Sequence, residues 1–397
     1  MKKQFVLVGI VVTALALLFS GCAKGAEKTI NLGFIGPLTG DAANYGKLMT
    51  QAIKIAVEER NAKNGIGGMK VNFIAEDSEG KVDKANAGME KLASVDHVWG
   101  LVGAVFSSSS LAIAPKAQAE KIVMISPSST HKDLISKGDY IFRDVASDAL
   151  QAQVFGRYVA QVMKIKTVAT LYTKNDYSQG LAEGFKQAFE ASGGKIVDEE
   201  TSLQGDKDFK TQLTKIKAAN PEAIYLPNYV AEIEQCLDQV KQLGIKAKIL
   251  SSDGFSNPEV LSVSGANANG VVFSGPEQSA KSAKTAAFEQ TYKTKWNEAP
   301  DAFSLNSYDA ANIIMDAIQT AYDNASPSDQ KALKLDRGVI RSAVAKTANY
   351  DGVSGTITFD KQTRDVVKNI GISTVENQQF KQLEVYTVQE GNLVKVR

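Results

Sequence analysis

The sequence predicts an α/β protein with two doubly wound, parallel-sheet lobes joined by a hinge that the chain crosses several times. Short apolar strand patterns alternate with helical patterns from residue 29 onward, and the same alternation starts again at Thr167. The tail from Gly355 returns to short runs of alternating apolar and polar residues. Strict strand and helix alternation favours parallel sheets with helices on both faces. Late segments that return to an earlier lobe require more than one crossing between the lobes.

The first lobe is predicted to comprise residues 29–146 and 277–354. Its predicted strands are 29–35, 71–75, 98–105 and 122–125. Tyr45 opens the helix after the first strand, whose apolar residues fall on one face. An acidic loop at 76–79 follows the second strand, and its order of residues does not fit a calcium-binding loop, so a solvated loop is the preferred interpretation.

The second lobe is predicted to comprise residues 147–276 and 355–397. Its predicted strands are 168–172, 196–197, 223–226, 249–251 and 270–275. Tyr177 stands at the mouth of the first strand–helix loop, as Tyr45 does in the first lobe, which indicates a duplicated architecture. The alternating runs of the tail predict antiparallel strands.

Length, composition and charge are those of a globular protein with about two or three domains. The chain has 397 residues, 44% of them hydrophobic and 22% charged, which is enough apolar material for a sizeable core. The formal net charge is +1, so the charge gives no reason to expect a nucleic-acid partner.

The N-terminus resembles a bacterial lipoprotein signal peptide. Two lysines precede an apolar run over 5–19, and Ser20-Gly21-Cys22 follows it. The resemblance implies removal of residues 1–21 and lipidation of Cys22, followed by a tether over 22–28. The alternative is a transmembrane anchor, but the apolar run is short for a span of about 20 residues.

Cys236 is the only other cysteine, so the chain offers no intrachain disulfide if Cys22 is lipidated. It stands at helical spacing from Ile233 and Val240, which favours a buried packing role over a reactive thiol.

Two hydroxyl-rich runs, 107–110 and 126–130, follow neighbouring predicted strands. The carboxyl ends of parallel strands form ligand sites, and serines that open a helix bring free backbone N–H groups. The unit over 103–130 therefore favours a carboxylate or phosphate ligand. The alternative is a pair of solvated serine-rich loops.

Residues for catalysis or metal binding are sparse. His97 and His131 lack partners at metal-ligand spacing, and the sequence contains neither a phosphate-binding glycine loop nor a nucleophile elbow. We therefore predict no metal, no cofactor and no enzymatic activity. Hydrolysis through Ser107 would require a base that the sequence does not identify.

Several short motifs, taken in order, resemble one protein family. They are LGFIGPLTG at 32–40, Tyr45-Gly46, NAKNGIGG at 61–68, Val102-Gly103, SPSST at 126–130, Asp176-Tyr177 with Gly180, and DKDF at 206–209. The chain resembles the substrate-binding proteins of branched-chain amino-acid ABC transporters, the leucine/isoleucine/valine-binding type of periplasmic binding protein. The resemblance implies a monomer outside the cytoplasm that captures a small amino acid, branched-chain or otherwise apolar, by lobe closure. It also implies delivery of that ligand to a membrane permease.

The resemblance also implies how the ligand would be held. Ser107 and Thr130 would donate to its carboxylate, and the Ser128 carbonyl, next to Ser129, would accept from its ammonium. Asp253 in the second lobe would be the charge partner of the ammonium, although Asp253-Gly254 is also an ordinary turn sequence. The aromatic walls would be Tyr45, Phe106, Tyr177, Tyr229 and Phe303.

Phe106 departs from the family pattern, in which a smaller residue is common, and we expect it to narrow the side-chain pocket. The sequence therefore leaves open a carrier for another carboxylate or amide, such as an aromatic acid or a urea-like compound. A ligand without an ammonium would not need Asp253. A more distant alternative is a secreted serine hydrolase, which would react at Ser107 with a fluorophosphonate.

Overall fold

The computed structural model describes residues 28–277 and 282–397. The predicted signal peptide over 1–21, the lipidation site Cys22 and most of the tether lie outside the described residues. Among the described residues, no helix combines the length and apolar character that crossing a membrane requires.

The first sheet has five parallel strands in the order β2-β1-β3-β4-β5. They are β1 (Ile30–Gly36), β2 (Val71–Asp77), β3 (Gly100–Gly103), β4 (Val123–Ser126) and β5 (Ile141–Arg143). The helices that follow the first three strands are α1 (Ala43–Ala62), α2 (Val82–Ser94) and α3 (Ser107–Ala119). The apolar stripe of α1, with Met49, Ile53 and Ala56, is buried as its spacing predicts. We call this sheet with its helices lobe 1.

The second sheet has eight strands in the order β15-β14-β13-β10-β9-β8-β6-β7. They are β6 (Thr167–Thr173), β7 (Lys195–Ser202), β8 (Ala223–Leu226), β9 (Lys248–Ser251), β10 (Val272–Pro276), β13 (Ile370–Glu376), β14 (Gln379–Gln389) and β15 (Asn392–Lys395). The first five are parallel, whereas the last three add an antiparallel edge, so this sheet is mixed. The antiparallel tail was predicted. We call this sheet with its helices lobe 2.

The helices of lobe 2 are α4 (Asp148–Gln161), α5 (Asp176–Ala191), α6 (Lys210–Ala219), α7 (Val230–Gln242) and α8 (Glu259–Ser264). Side chains cap two of them, because Ser147 accepts from the Leu150 N–H at 3.2 Å and Asn175 accepts from the Ser178 N–H at 2.8 Å. Cys236 on α7 is fully buried among the apolar residues beneath the sheet.

The chain returns to lobe 1 with α9 (Ala283–Trp296), α10 (Ala302–Asn324), α11 (Pro327–Ala332) and α12 (Arg337–Ala345), followed by the hairpin of β11 (Tyr350–Gly352) and β12 (Gly355–Ile357). Helix α10 packs against α1 and over the first sheet. Gly100 allows this approach, because a Cβ there would lie 2.3 Å from Ile314 Cγ2. The chain therefore crosses between the sheets after β5, after β10 and after β12.

Charged side chains connect the first and the last crossing. The guanidinium of Arg143, which is 1% exposed, forms a bidentate ion pair with Asp365. Lys368 Nζ lies 2.9 Å from the buried carboxylate of Asp144. Both pairs join the end of β5 to the segment that leads into β13.

Candidate functional site

Most of the predicted ligand-binding residues line one small cavity between the lobes. Its volume is about 10 Å³, close to the space that one water molecule occupies. Lobe 1 contributes Tyr45, Val105, Phe106, Ser128 and Phe303, and lobe 2 contributes Tyr177, Tyr229, Asp253 and Gly254. Ser107, Ser129 and Thr130, which were predicted with these residues, are not among its lining residues.

Asp253 is the charged group of this cavity. It opens the short 3-10 turn Asp253–Ser256 directly after β9, and it is 2% exposed. Its Oδ1 accepts from the Tyr177 hydroxyl at 2.7 Å and from Gln151 Nε2 at 3.1 Å. Burial raises the pKa of the Asp253 carboxyl, and the hydrogen bonds from Tyr177 and Gln151 oppose that rise. Because both partners of Oδ1 are neutral, a cationic ligand group would find an uncompensated counter-charge here.

The Asp253-Gly254 turn itself lines the cavity. The Tyr177 hydroxyl accepts from the Gly254 N–H at 2.8 Å and lies 2.8 Å from Ser252 Oγ. A Cβ at Gly254 would lie 2.4 Å from the Asn228 carbonyl oxygen, so the turn can approach that loop only with glycine. The turn interpretation and the ligand-site prediction therefore describe compatible roles for one segment.

Tyr45 connects the two lobes at the cavity. Its hydroxyl donates to the Gly254 carbonyl at 2.7 Å and accepts from the Val230 N–H at 3.3 Å. Burial raises the pKa of Tyr45, so the phenol stays protonated and can donate. A lobe 1 side chain thus hydrogen-bonds to the backbone of the turn that carries Asp253.

Aromatic rings occupy the space between the lobes. Phe106 stacks on Tyr229 with ring centroids 4.1 Å apart, and Tyr229 stacks on Tyr177 at 4.7 Å. Tyr45 presents its ring edge-on to Phe106 at 5.7 Å and to Tyr229 at 6.0 Å. These rings form an apolar wall with hydroxyl groups at its ends, an arrangement suited to a ligand with an apolar body and polar termini.

The hydroxyl-rich end of the predicted site lies at the start of α3. Ser107 is its first residue and is 1% exposed, and its Oγ has no hydrogen-bond partner among the residues that the structure describes. Thr130 is fully buried, and its side chain approaches the Asp148 carboxyl without hydrogen-bond geometry. Burial raises the pKa of Tyr229, whereas the nearby Ser107 N–H lowers it, so the start of α3 adjoins the aromatic wall.

The other two serines of the predicted site use their hydroxyls within lobe 1. Ser128 Oγ donates to the Val105 carbonyl at 2.7 Å. Ser129 Oγ lies 2.6 Å from Ser110 Oγ and 3.1 Å from the Ala104 carbonyl oxygen. These bonds hold the 126–130 segment against the end of β3, so both hydroxyls position the loop.

Two polar residues on α4, Gln151 and Asp148, also lie at Asp253 and were not predicted from the sequence. Gln151 Oε1 accepts from the Asp253 N–H at 3.2 Å, while its Nε2 donates to the carboxylate of the same residue. Asp148 is 3% exposed, and burial together with the negative charge of Asp253 raises its pKa well above the usual value. Because Asp148 and Gln151 are three residues apart, both lie on one face of the helix. The sequence alone does not show that this face points toward the site.

A wider cleft lies outside the cavity. Its volume is about 870 Å³, and both lobes line it. Tyr45, Phe106 and Tyr229 line both the cleft and the cavity, so their rings separate the two spaces. Among the described residues, no group of three or more His, Cys, Asp or Glu side chains is placed to hold a metal ion.

The fold and the cavity between the lobes define a two-lobed binding protein, and comparison with known proteins identifies its family. The chain matches the periplasmic binding proteins over residues 29–379 and belongs to that family. The resemblance seen in the sequence is thereby confirmed. Proteins of this family are substrate-binding proteins, not enzymes, and act in the periplasm or outside the cell.

Two relatives show how far the likeness extends. The chain is 30% identical over 354 residues to Leu/Ile/Val-binding protein homolog 3 of Brucella melitensis, which covers 89% of this chain and 96% of that protein. It is also 30% identical over 338 residues to the leucine-, isoleucine-, valine-, threonine-, and alanine-binding protein of Pseudomonas aeruginosa, with 85% and 87% covered.

Solved structures share the two-lobed fold. The branched-chain amino acid transporter substrate binding protein LivJ of Streptococcus pneumoniae, in complex with isoleucine, has a TM-score of 0.81 at 29% identity and covers 93% of this chain and 100% of that one. The leucine binding protein LivK of Thermotoga maritima has a TM-score of 0.81 at 28% identity, with 90% and 98% covered. These likenesses confirm the predicted fold class.

Proposed function

We propose that this protein captures a small zwitterionic amino acid between its lobes and delivers it to the permease of an ABC importer. The observation that carries the proposal is the buried Asp253 carboxylate, whose Oδ1 has only neutral partners, in a cavity walled by aromatic rings. A desolvated ammonium is costly without a counter-charge, and Asp253 supplies one. The names of the relatives support an apolar or branched-chain amino acid as the ligand class.

The ligand carboxylate is assigned to the start of α3. Ser107 offers there a buried hydroxyl, unpartnered in the described part of the chain, and a backbone N–H at a helix N-terminus, where negative charge is favoured. Thr130 adds a second buried hydroxyl from the end of the neighbouring strand. In the proposed complex these donors and the Ser128 carbonyl face Asp253 across the closed lobes.

We also propose a binding role without catalysis for Ser107. Nucleophilic serines are activated by a base within hydrogen-bond reach, and within residues 28–277 and 282–397 no group hydrogen-bonds to Ser107 Oγ. The proposal also includes export with residues 1–21 as the signal peptide and lipid attachment at Cys22. It further includes action as a monomer, with lobe boundaries at residues 146, 276 and 354.

Isothermal titration of the purified protein against the individual amino acids tests this function. We expect binding by at least one small or apolar amino acid, and Asp253→Ala should weaken it more than about tenfold because the ammonium is left unpaired. Asp309→Asn is the matched control, since Asp309 is also a buried carboxylate but pairs with the Val353 and Ser354 N–H groups within lobe 1. Binding by no amino acid would refute the ligand class. Unchanged affinity in Asp253→Ala would remove Asp253 from the site and favour a ligand without an ammonium.

A further inference from the structure

We propose that Gln151 is a positioning residue for ligand capture, whose side-chain amide fixes the orientation of the Asp253 carboxylate and connects it to the hinge. This inference rests on the proposed function, in which Asp253 is the charge partner of the ligand ammonium. It adds to that function a residue that acts through Asp253, because Gln151 does not line the cavity that Asp253 shares with the aromatic rings.

The amide of Gln151 bonds to Asp253 at both of its ends. Its Nε2 donates to Asp253 Oδ1 at 3.1 Å, and its Oε1 accepts from the Asp253 N–H at 3.2 Å. Both side chains are buried. One planar amide thus holds the carboxylate and the backbone of the same residue. Tyr177 donates to the same Oδ1 from α5, so neither of the two side-chain bonds uses Oδ2, the oxygen that we assign to the ligand ammonium.

A third bond connects this pair to the end of β10. The hydroxyl of Ser274, which is fully buried, donates to Gln151 Oε1 at 3.0 Å. Ser274 lies two residues before the end of β10, where the chain makes its second crossing between the sheets. Helix α4, which carries Gln151, begins soon after the first crossing. Gln151 therefore joins the lobe 2 ends of two crossings to the turn that carries Asp253.

A second small cavity lies on the hinge side of Asp253. Its volume is about 20 Å³, and Gln151 and Asp253 line it together with residues of all three crossings, at 145–146, 275–276 and 368–370. Asp253 therefore lies between the hinge and the cavity that faces the ligand. A binding group keeps its geometry where hydrogen bonds from surrounding residues lock its side chain. Gln151 supplies such bonds on the side of Asp253 that adjoins the hinge.

Gln151 is also a neutral donor among groups of mostly negative or aromatic character. A hydrogen bond to an ionised carboxylate favours its charged form, and the bonds from Tyr177 and Gln151 oppose the rise that burial causes in the pKa of Asp253. Lys368, which lines the hinge-side cavity, lies beside the carboxylate of Asp144. The other titratable side chains that act on Asp253 are Asp148 on α4 and the phenols of Tyr45, Tyr177, Tyr225 and Tyr229.

Gln151→Met tests the inference, because methionine has a similar length and volume but cannot make these hydrogen bonds. Isothermal titration with leucine, isoleucine, valine and alanine compares the variant with the wild-type protein at a series of pH values, lowered stepwise from about pH 8. At about pH 8 we expect the variant to bind about threefold or more weakly. Because Asp253 then takes up a proton more readily, the pH at which affinity falls should move upward by about half a pH unit or more.

Gln239→Met is the matched control. Gln239 is also a buried glutamine on a helix of lobe 2, and its amide likewise holds a loop at both ends. Its Oε1 accepts from the Phe209 N–H at 2.7 Å, and its Nε2 donates to the Lys207 carbonyl at 2.8 Å. We expect this variant to keep the wild-type affinity and the wild-type pH profile.

Unchanged affinity in a Gln151→Met protein that melts cooperatively overturns the inference. An affinity loss without the shift in the pH profile also overturns it, and so does an equal change in Gln239→Met. If Gln151→Met does not fold, Ser274→Ala decides the question, because it removes the hydroxyl that holds Gln151 Oε1. That variant should weaken binding and move the pH profile in the same direction, and wild-type behaviour would refute the positioning role.

Failure of the proposed function is a separate result. Binding of no amino acid by the wild-type protein, or unchanged affinity in Asp253→Ala, overturns the proposed function and this inference together. Weakened binding in Asp253→Ala with wild-type behaviour in Gln151→Met overturns the positioning role of Gln151 alone.

Discussion

At the scale of single residues, the buried carboxylates differ mainly in their partners. Asp253, Asp148 and Asp144 are all buried, and burial raises the pKa of each. Asp144 has the ammonium of Lys368 beside it, whereas Oδ1 of Asp253 has only neutral donors. This difference suits Asp144 to holding the fold and Asp253 to receiving a cation.

The affinity for the ligand should fall as the pH is lowered. Because its pKa is raised, Asp253 takes up a proton at a higher pH than an ordinary aspartate, and only the ionised form pairs with the ammonium. Below that pKa, each pH unit should weaken binding by about tenfold. Titrations at a series of pH values, lowered stepwise from about pH 8 as far as the protein stays folded, measure this loss. Asp253→Asn, which cannot titrate there, should show a flatter profile, and equal profiles for the two proteins would contradict the assignment.

At the scale of elements, polar side chains that follow a strand or lie on a neighbouring helix hold the loops of the site in place. Asn228 follows β8 and bonds to β6, because its Oδ1 accepts from the Thr173 N–H at 2.8 Å and its Nδ2 donates to the Leu171 carbonyl at 3.0 Å. These bonds fix the loop that carries Tyr229. Gln151 on α4 holds the Asp253 turn in the same way.

The ion pair between Asp144, at the end of β5, and Lys368, in the segment before β13, should make the stability of the protein depend on pH. The pKa of the Asp144 carboxyl is raised to about 7, because burial and the nearby Asp309 charge raise it more than the Lys368 ammonium lowers it. An unfolded aspartate has a pKa of about 3.9, so the folded state binds more protons between these values. The contribution of Asp144 to the free energy of unfolding is therefore largest below about pH 4 and is lost as the pH rises to about 7.

Comparison with Asp144→Asn isolates this contribution from those of other carboxyls. Between about pH 5 and pH 8 the wild-type protein should lose about 3 kcal/mol more unfolding free energy than the variant. Urea denaturation at several pH values measures both slopes. Parallel slopes would show that Asp144 does not titrate in this range.

The elements also show where prediction from sequence succeeded. The strand and helix alternation correctly predicted β1 to β4 and β6 to β10, because each has a run of apolar residues between turn signals. The strand β5 was missed because Ile141–Arg143 is too short to show a period and ends in a buried arginine, which the Asp365 carboxylate and the Thr130 and His131 carbonyls accommodate. The alternating tail correctly predicted antiparallel strands in the second lobe, and the structure adds that β13 to β15 continue the same sheet as β6 to β10.

At the scale of the whole molecule, contacts between the lobes surround the cavity. Besides the Tyr45 bond, Asn44 Nδ2 donates to Asn257 Oδ1 at 2.9 Å, and the Asp176 N–H donates to Ser108 Oγ at 3.3 Å. Such contacts form only in the closed arrangement of two lobes, so each contributes to ligand retention by favouring that arrangement.

Removing the Tyr45 hydroxyl should therefore weaken ligand binding. Tyr45→Phe deletes the bond to the Gly254 carbonyl, and we expect an affinity loss of about 3–10-fold, the size of one hydrogen bond. Tyr292→Phe is the matched control, because its buried hydroxyl bonds to Leu48 and Gln51 within lobe 1. Isothermal titration compares the two variants, and equal losses in both would argue against a closure role for Tyr45.

The sequence by itself determined the family, the two-lobed fold class and most residues of the cavity, because strand periodicity and strand-end motifs are local signals. Only the tertiary structure decided which side chains from distant segments meet. Gln151 reaches Asp253 from 102 residues away, and the Phe106 ring from lobe 1 stacks on Tyr229 from lobe 2. It also decided that Ser107, Ser129 and Thr130 lie outside the cavity lining. Packing between separate helices and sheets sets these contacts, and no pattern along the chain encodes the direction of a single side chain.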